Sequence, residues 1–360
     1  MIIVDAHEDL AWNALSFGRD YIQPVARTRA REIGTLVPEQ VGQAMLGWPD
    51  WLEGNVGVVF ATLYASVCRK QTGYRRTECF NTVEEAHRLY RAQLDFYHHW
   101  AAQHADKIYL ITSRAQLEDG LARWAAAPPD KQRVGLVLLM EGAAGIRQPE
   151  ELPEWYAGGV RLIGPAWAAT QYAGAAGEPG PFTPAGRALL AQMARLGVIL
   201  DLSHLAQEAV EEALADYPGP IVATHCNARA LLPDNAPQRH LPDTTIRQVA
   251  VREGVIGIVL PIDFVKNGVK LTNDRRLVSL DDVADHIDHM AQLVGHTRHL
   301  GLGSDFDGGF GLEQSPAGFN SIADLGRIGG VLARRGYSPT DIDGILGGNW
   351  LNLLRRTLPE

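Results

Sequence analysis

The sequence predicts a single (β/α)8 barrel of the TIM type. Three observations carry that reading. Eight short apolar, β-rich runs alternate with amphipathic helical stretches, no Gly-x-Gly-x-x-Gly follows the first run, and several runs end in histidine or a carboxylate. Strands alternating with helices imply parallel pairing through crossover helices. Eight of them over 360 residues fit a closed barrel better than an open doubly wound sheet. No internal repeat or low-complexity linker interrupts the chain, so residues 1–360 are read as one domain.

The strands are expected at 2–5, 57–64, 135–140, 160–163, 198–201, 221–224, 255–260 and 299–303. Each is a run of Val, Ile or Leu bounded by polar or glycine residues. A ninth apolar run, 108–111, is short and is expected outside the main sheet. Helical periodicity falls between the runs, at 82–104, 113–126, 184–196, 206–216, 244–252, 280–293, 339–346 and 349–356. Ser113, Thr183 before Pro184, and Ser338 before Pro339 supply helix-entry signals. The segments 11–55 and 65–81 read as long loops, which in a barrel commonly cover the active-site mouth.

Composition narrows the function classes. A hydrophobic fraction of 46% supports a large core, and a net charge of −9 argues against nucleic acid as a partner, since phosphate binding needs a basic surface. The three cysteines, Cys68, Cys79 and Cys226, show no Cys-x-x-Cys spacing, and a disulfide framework is not indicated. A Cys68–Cys79 bridge would fit only an exported protein. No signal peptide and no run of about eighteen apolar residues is visible, so the expectation is a cytoplasmic protein without a membrane span.

In a barrel, functional groups gather where the strands end. The first strand leads into His7 and Asp9, which alternation places on one face with Glu8 on the other. The third ends in Glu141, the fifth in His204, the sixth in His225 and the eighth in Asp305, with Asp307 close behind. Each alone has an ordinary explanation, because a histidine at a strand end is more often a satisfied core residue and an acid more often caps the next helix. Asp201 and Asp307 are read as caps of that kind. Three histidines and three carboxylates at one end of several strands instead suit borderline divalent metals such as zinc. His7, Asp9, Glu141, His204 and His225 exceed what one tetrahedral ion needs. Two ions are therefore implied, with Glu141 as the natural bridge between them. Paired ions make a hydroxide near neutral pH and polarise a carbonyl, which is hydrolytic equipment. Asp305 is then either a proton carrier or a further ligand.

These residues resemble the membrane (renal) dipeptidase family of zinc peptidases, in order along most of the chain. The resemblance rests on Asp5-Ala6-His7-Glu8-Asp9-Leu10, Leu139-Met140-Glu141-Gly142, Asp201-Leu202-Ser203-His204, Thr224-His225-Cys226-Asn227-Ala228-Arg229, Gly301-Leu302-Gly303-Ser304-Asp305-Phe306-Asp307-Gly308 and Gly347-Gly348-Asn349. It implies one metal on His7, Asp9 and Glu141 and a second on Glu141, His204 and His225, both expected to be zinc. It also implies Arg239 as the contact for a dipeptide's C-terminal carboxylate, and a homodimer, while Asp305 keeps its reading as proton shuttle. Two departures stand out. Trp167 occupies the place of a histidine that donates to the oxyanion in the family, and the segment Val259-Leu260-Pro261-Ile262-Asp263 lacks the tyrosine that animal members show. Two rival readings remain at this point. One is another amidohydrolase-type reaction on a cyclic amide, lactone or phosphoester, although no lysine lies by the fourth strand to bridge metals there. The other is a catalytically weakened metal-binding homologue.

Overall fold

The structure is a computed structural model that describes residues 2–70, 78–234 and 238–360. Its centre is a parallel barrel of β1 (Ile3–Glu8), β2 (Val56–Tyr64), β3 (Val134–Glu141), β4 (Val160–Gly164), β5 (Ile199–Asp201), β6 (Ile221–Val222), β7 (Ile256–Ile258) and β8 (Leu300–Leu302). The order around it is β6–β5–β4–β3–β2–β1–β8–β7. An isolated parallel bridge between Ala223 and Ile256 joins the two ends. Closure there depends on small residues. A Cβ added to Gly257 or to Gly303 would lie 1.9 Å from the carbonyl oxygen of Thr224.

Val4, Phe60, Leu139, Leu162, Ile199 and Val222, one from each of the first six strands, form one fully buried cluster. Residues from six strands of a barrel meet only inside it, so this is the interior core. Each such side chain contributes roughly 1.5–3 kcal/mol on burial. Trp350, from the last helix, joins the cluster through an edge-to-face contact with Phe60 and donates its indole N–H to the Leu302 carbonyl at 3.1 Å.

The helices expected between the strands are present as Val83–Gln103, Arg114–Ala126, Pro184–Leu196, Gln207–Asp216, Asp243–Val251, Leu280–Val294 and Asn349–Thr357. The hydroxyls of Ser113, Thr183 and Ser338 each accept a backbone N–H of the helix that follows. The expected helix at 339–346 is instead one short turn, Pro339–Asp343, followed by a π-helical turn, Gly344–Gly348, that runs into the last helix. The segment 11–55 is not a loop but carries the helices Leu10–Phe17, Val25–Glu32, Val37–Val41 and Trp48–Glu53. Most are one or two turns long, too short for a helical period to show in the sequence.

A further expectation is corrected. The run Ile108–Leu110 belongs to the main sheet, paired parallel to the first half of β3 from Ile108–Val134 to Leu110–Leu136. β4 pairs only with the second half of β3, from Leu138 onward. The short strand therefore covers the edge that β4 leaves open.

Cys68 and Cys79 form a disulfide, the one pairing that the sequence left open although it indicated no disulfide framework. The cause is local. Ser66–Val67 and Cys79–Phe80 pair in parallel, which brings the two Cα atoms to 5.0 Å. The expected loop at 65–81 lies partly outside the described residues. Thiol titration of unreduced, denatured protein is expected to find one thiol, that of Cys226. Three thiols would show that the pair is not bonded in solution.

Candidate active site

Three of the site candidates, His7, His204 and His225, converge on one oxygen of a fourth, Glu141, and Asp9 and Asp305 stand beside His7. Glu141, the last residue of β3, places Oε1 3.0 Å from His204 Nε2 and 3.5 Å from the Nε2 atoms of His7 and His225. His204 Nε2 and His225 Nε2 are 2.9 Å apart. His7 Nε2 lies 4.0 Å from Asp9 Oδ1 and 3.8 Å from Asp305 Oδ1. Ligand atoms of His7, Glu141 and His225 fall within 4.8 Å of one another, and so do those of His7, Asp9 and Asp305.

The backbone is bent to aim these groups. β1 carries an irregularity in which Asp5 pairs with Val59 while Glu8 pairs with Ala61, three residues advancing against two. Val4 and Ala6 face the barrel interior, yet His7 and Asp9 also face the mouth. The extra residue shifts the alternation between them. Glu8 points away and accepts the Trp51 indole N–H at 3.1 Å. His204, Asp305 and Asp307 hold positive φ angles of 67°, 59° and 63°. This left-handed geometry costs a residue with a side chain roughly 1–2 kcal/mol, and it appears where the chain leaves β5 and β8.

Buried carboxylates fix those strand ends. Asp201 Oδ1 accepts the Ser203 N–H at 3.0 Å, the Ser203 hydroxyl at 2.8 Å and the Thr224 N–H at 2.9 Å, and Oδ2 accepts the Thr224 hydroxyl at 2.5 Å. With its proton directed at Asp201, the Thr224 hydroxyl oxygen accepts from His225 Nδ1 at 3.0 Å. That tautomer leaves the lone pair of His225 on Nε2, facing Glu141. Asp5 does similar work for β8, accepting the Ser304 N–H at 2.6 Å and its hydroxyl at 2.5 Å. Asp307 accepts the Met45 N–H at 2.8 Å and the Tyr21 hydroxyl at 3.1 Å and pairs with Arg19 at 3.3 Å. It thereby ties the helical insertion to the barrel mouth. Asp201 and Asp307 are thus not helix caps. Thr62 donates to Asp9 Oδ1.

The electrostatics suit a cation. Burial, with the Arg239 charge, pushes His204 down to about 4, and burial together with His7 holds His225 well below its usual value. Both imidazoles are therefore held neutral, with their Nε2 atoms turned toward each other and toward Glu141. Burial alone would lower His7, but the Glu141 carboxylate, helped by Asp305 and Asp9, raises it to about 10. Burial and the Glu141 charge push Asp9 up to about 7. His7 Nε2 is buried without a hydrogen bond. The mixed imidazole and carboxylate set of His7, Asp9, Glu141, His204 and His225 fits borderline divalent metals, and a bound dication would supply the positive charge that the buried carboxylates call for.

The remaining candidates line two adjoining cavities. One, about 240 Å³, includes Asp9, Glu141, His204, Asp305 and Asp263 with the rings of Trp12, Tyr64 and Phe310. The other, about 480 Å³, includes Arg239, Gln238, Glu178 and the small residues Ala168, Ala175, Ala176 and Gly177. Trp167, His204, Phe264 and Lys70 belong to both. Trp167 packs on Tyr64, ring centroids 5.1 Å apart, and so stands as a wall between the cavities. Arg239 is buried, donates from Nη1 to Cys226 Sγ at 3.2 Å and sits over the Phe264 ring at 5.2 Å, while Nε and Nη2 have no hydrogen bond. The aromatic wall, Asp263 and the Asp5 and Asp201 frames were not read from the sequence. Asp201-x-Ser203-His204 carries the only local signal, an acid two residues before a hydroxyl.

Comparison with known proteins decides the family. Residues 1–358 match the family described as membrane dipeptidase, peptidase family M19. The chain belongs to the membrane dipeptidase family. A member from Aspergillus oryzae, the dipeptidase aclJ, is 27% identical over 363 residues, covering 98% of this chain and 77% of its own. Among solved structures, the dipeptidase AC superposes with a TM-score of 0.79 at 23% identity over 100% of this chain and 99% of the other. A metallopeptidase from Rhodobacter sphaeroides, liganded with a phosphinate mimic of L-Ala-D-Ala, gives 0.79 and 23% over 99% of both chains. These structural likenesses speak for the fold. Membership makes this chain a metallo-dipeptidase, a hydrolase that uses divalent metal and acts on dipeptides. No helix among the described residues is long and apolar enough to cross a membrane.

Asp201 touches none of the converging nitrogen atoms, yet it sets the tautomer of His225. Replacing such a supporting group commonly weakens metal binding about 10–100-fold. Asp201→Ala is expected to do so, measured by competition with a chromophoric chelator. Unchanged affinity would show that the Asp201–Thr224 frame is dispensable.

Proposed function

We propose that this chain is a binuclear dipeptidase of a single domain, residues 1–360. One ion is held by His7, Asp9 and Glu141 and the other by Glu141, His204 and His225, with zinc as the metal. The observation that carries the proposal is the convergence of three imidazole Nε2 atoms within 3.5 Å of Glu141 Oε1, with His7 Nε2 buried and unbonded. Bound there, divalent ions supply Lewis acidity at the scissile carbonyl and a deprotonated water near neutral pH.

The chain's own groups do the rest. Asp305 lines the cavity and stands 3.8 Å from His7 Nε2, and burial holds its carboxyl well above the usual range, which suits a group that accepts a proton and returns it. It takes the proton from the attacking water and delivers it to the leaving amine nitrogen. Arg239 holds the substrate's C-terminal carboxylate with its unbonded Nε and Nη2, the paired geometry guanidinium offers. Trp167 walls the site and replaces the imidazole oxyanion donor with a ring. Nucleic acid has no place in this reading, given the net charge of −9. A homodimer and a cytoplasmic location complete it, and both are open to direct test. An oxidising compartment is the competing location, favoured by the Cys68–Cys79 bond. Cell fractionation separates the two, and sedimentation gives the oligomeric state.

Protein loaded with zinc is expected to contain two ions per chain and to hydrolyse unmodified dipeptides. His204→Ala should lose one ion and the activity. Asp305→Asn should keep both ions and lose roughly 10²–10⁴-fold in kcat. One ion per chain, or loss of metal in Asp305→Asn, would overturn the assignment.

The Arg239 role makes a separate prediction. Dipeptide amides, which lack the carboxylate, should be cleaved at least tenfold less efficiently than free dipeptides by the parent enzyme, and Arg239→Gln should erase that difference. Equal cleavage of amides and acids by the parent would remove Arg239 from carboxylate binding.

A further inference from the structure

The larger of the two cavities has no part in the chemistry above except through Arg239. Its walls are small and mostly apolar. Ala168 precedes, and Ala175, Ala176 and Gly177 form, the turn of an antiparallel hairpin, Ala173–Ala175 paired with Glu178–Phe182, that follows β4. The hairpin is held rigidly against the site. Gly174 packs so tightly on Gly180 that a Cβ would come within 2.4 Å of the Gly180 nitrogen. The Ala176 N–H donates to the His204 carbonyl at 2.7 Å, and Ala175 bridges to Leu205.

The one acid in that wall, Glu178, is already paired. Arg69 reaches it at 2.8 Å and Lys70 at 3.2 Å, and the Ala169 N–H donates to it at 2.8 Å. Its charge is therefore neutralised from the far side and does not compete for Arg239. What remains is a mostly apolar chamber of about 480 Å³ with the Arg239 guanidinium, Gln238 and His204 at its edge and the ring of Phe264 beside that guanidinium.

We infer that this cavity is the side-chain pocket for the C-terminal residue of the dipeptide, and that it selects bulky apolar residues such as leucine and phenylalanine. The inference rests on the dipeptidase reading and on Arg239 as the carboxylate contact. A carboxylate on Arg239 places the Cα of the same residue at the cavity's edge, so its side chain enters between Phe264, Trp167 and the alanine wall. The other cavity, with Glu141 and Asp305, is left to the N-terminal residue. A large side chain gains by leaving water there, and a glycine leaves the chamber unfilled. Each methylene placed in such a pocket is worth about tenfold or more in discrimination.

The test uses the full chain loaded with zinc and the series Ala-Gly, Ala-Ala, Ala-Leu and Ala-Phe. kcat/KM is expected to rise at least tenfold from Ala-Gly to Ala-Phe, mainly through KM. Ala176→Phe fills the chamber from the half-buried tip of the hairpin and should lower the Ala-Phe to Ala-Gly ratio at least fivefold. Ala168→Val should lower it in the same direction from the opposite side, and an unchanged melting temperature in either variant separates this effect from misfolding. A flat series, or a ratio that neither variant moves, overturns the pocket while leaving the dipeptidase standing. No cleavage of any dipeptide by the metal-loaded parent overturns the proposed function and this inference together.

Discussion

The buried carboxylate of Asp201 is the constraint on which the barrel mouth depends. It accepts four hydrogen bonds, from the backbone and hydroxyl of Ser203 and from the backbone and hydroxyl of Thr224. Those two residues lie immediately before His204 and His225, so a single acid fixes the exits of two strands. It also decides a proton. The Thr224 hydroxyl, committed to Asp201, accepts a hydrogen bond from His225 Nδ1–H and leaves the ring's lone pair on Nε2. Without that commitment the imidazole could present either face, and a donor whose tautomer is undefined makes a poor site.

The same device recurs around the mouth, and its recurrence explains how so many polar groups survive in an apolar barrel. Asp5 clamps Ser304 ahead of Asp305, and Asp307 clamps the insertion through Tyr21, Arg19 and the Met45 backbone. An ionised carboxylate buried alone would be prohibitive, but one with three or four donors is not. His204, Asp305 and Asp307, in left-handed backbone, stand at or beside these frames. The strain and the clamps occur together because the strands end where alternation would otherwise turn the side chains the wrong way.

What the sequence disclosed and what it concealed divide along one physical line. The strands, the helices of ten or more residues and the chemistry-bearing residues at strand ends were legible, because period and residue type are local properties. The convergence of His7, Glu141, His204 and His225 followed once the barrel put strand ends together. The bulge in β1 was not legible, since an extra residue leaves no mark in the pattern Val4-Asp5-Ala6-His7. Nor was Asp201 recognisable as a frame, because its partner Thr224 lies more than twenty residues away. The Cys68–Cys79 bond escaped for a related reason. It depends on a two-residue strand pair too short to announce itself, and the cysteine count and spacing indicated no disulfide framework.

Trp167 shows how a substitution at one strand end can redistribute function across a site. An imidazole there would donate a proton-tuned hydrogen bond, whereas an indole offers a single donor and a large apolar face. In this chain the face is used. It packs on Tyr64, stands 6.2 Å from the His204 ring and forms part of both cavities. A side chain that separates two chambers acts on where the substrate's two residues lie rather than on the charge that develops between them. In the proposed mechanism, transition-state stabilisation at the carbonyl then falls to the groups gathered at Glu141. Losing one oxyanion donor commonly costs roughly 10²–10³ in rate. A large apolar face between two chambers acts on which substrate residues fit, a different lever from an oxyanion donor.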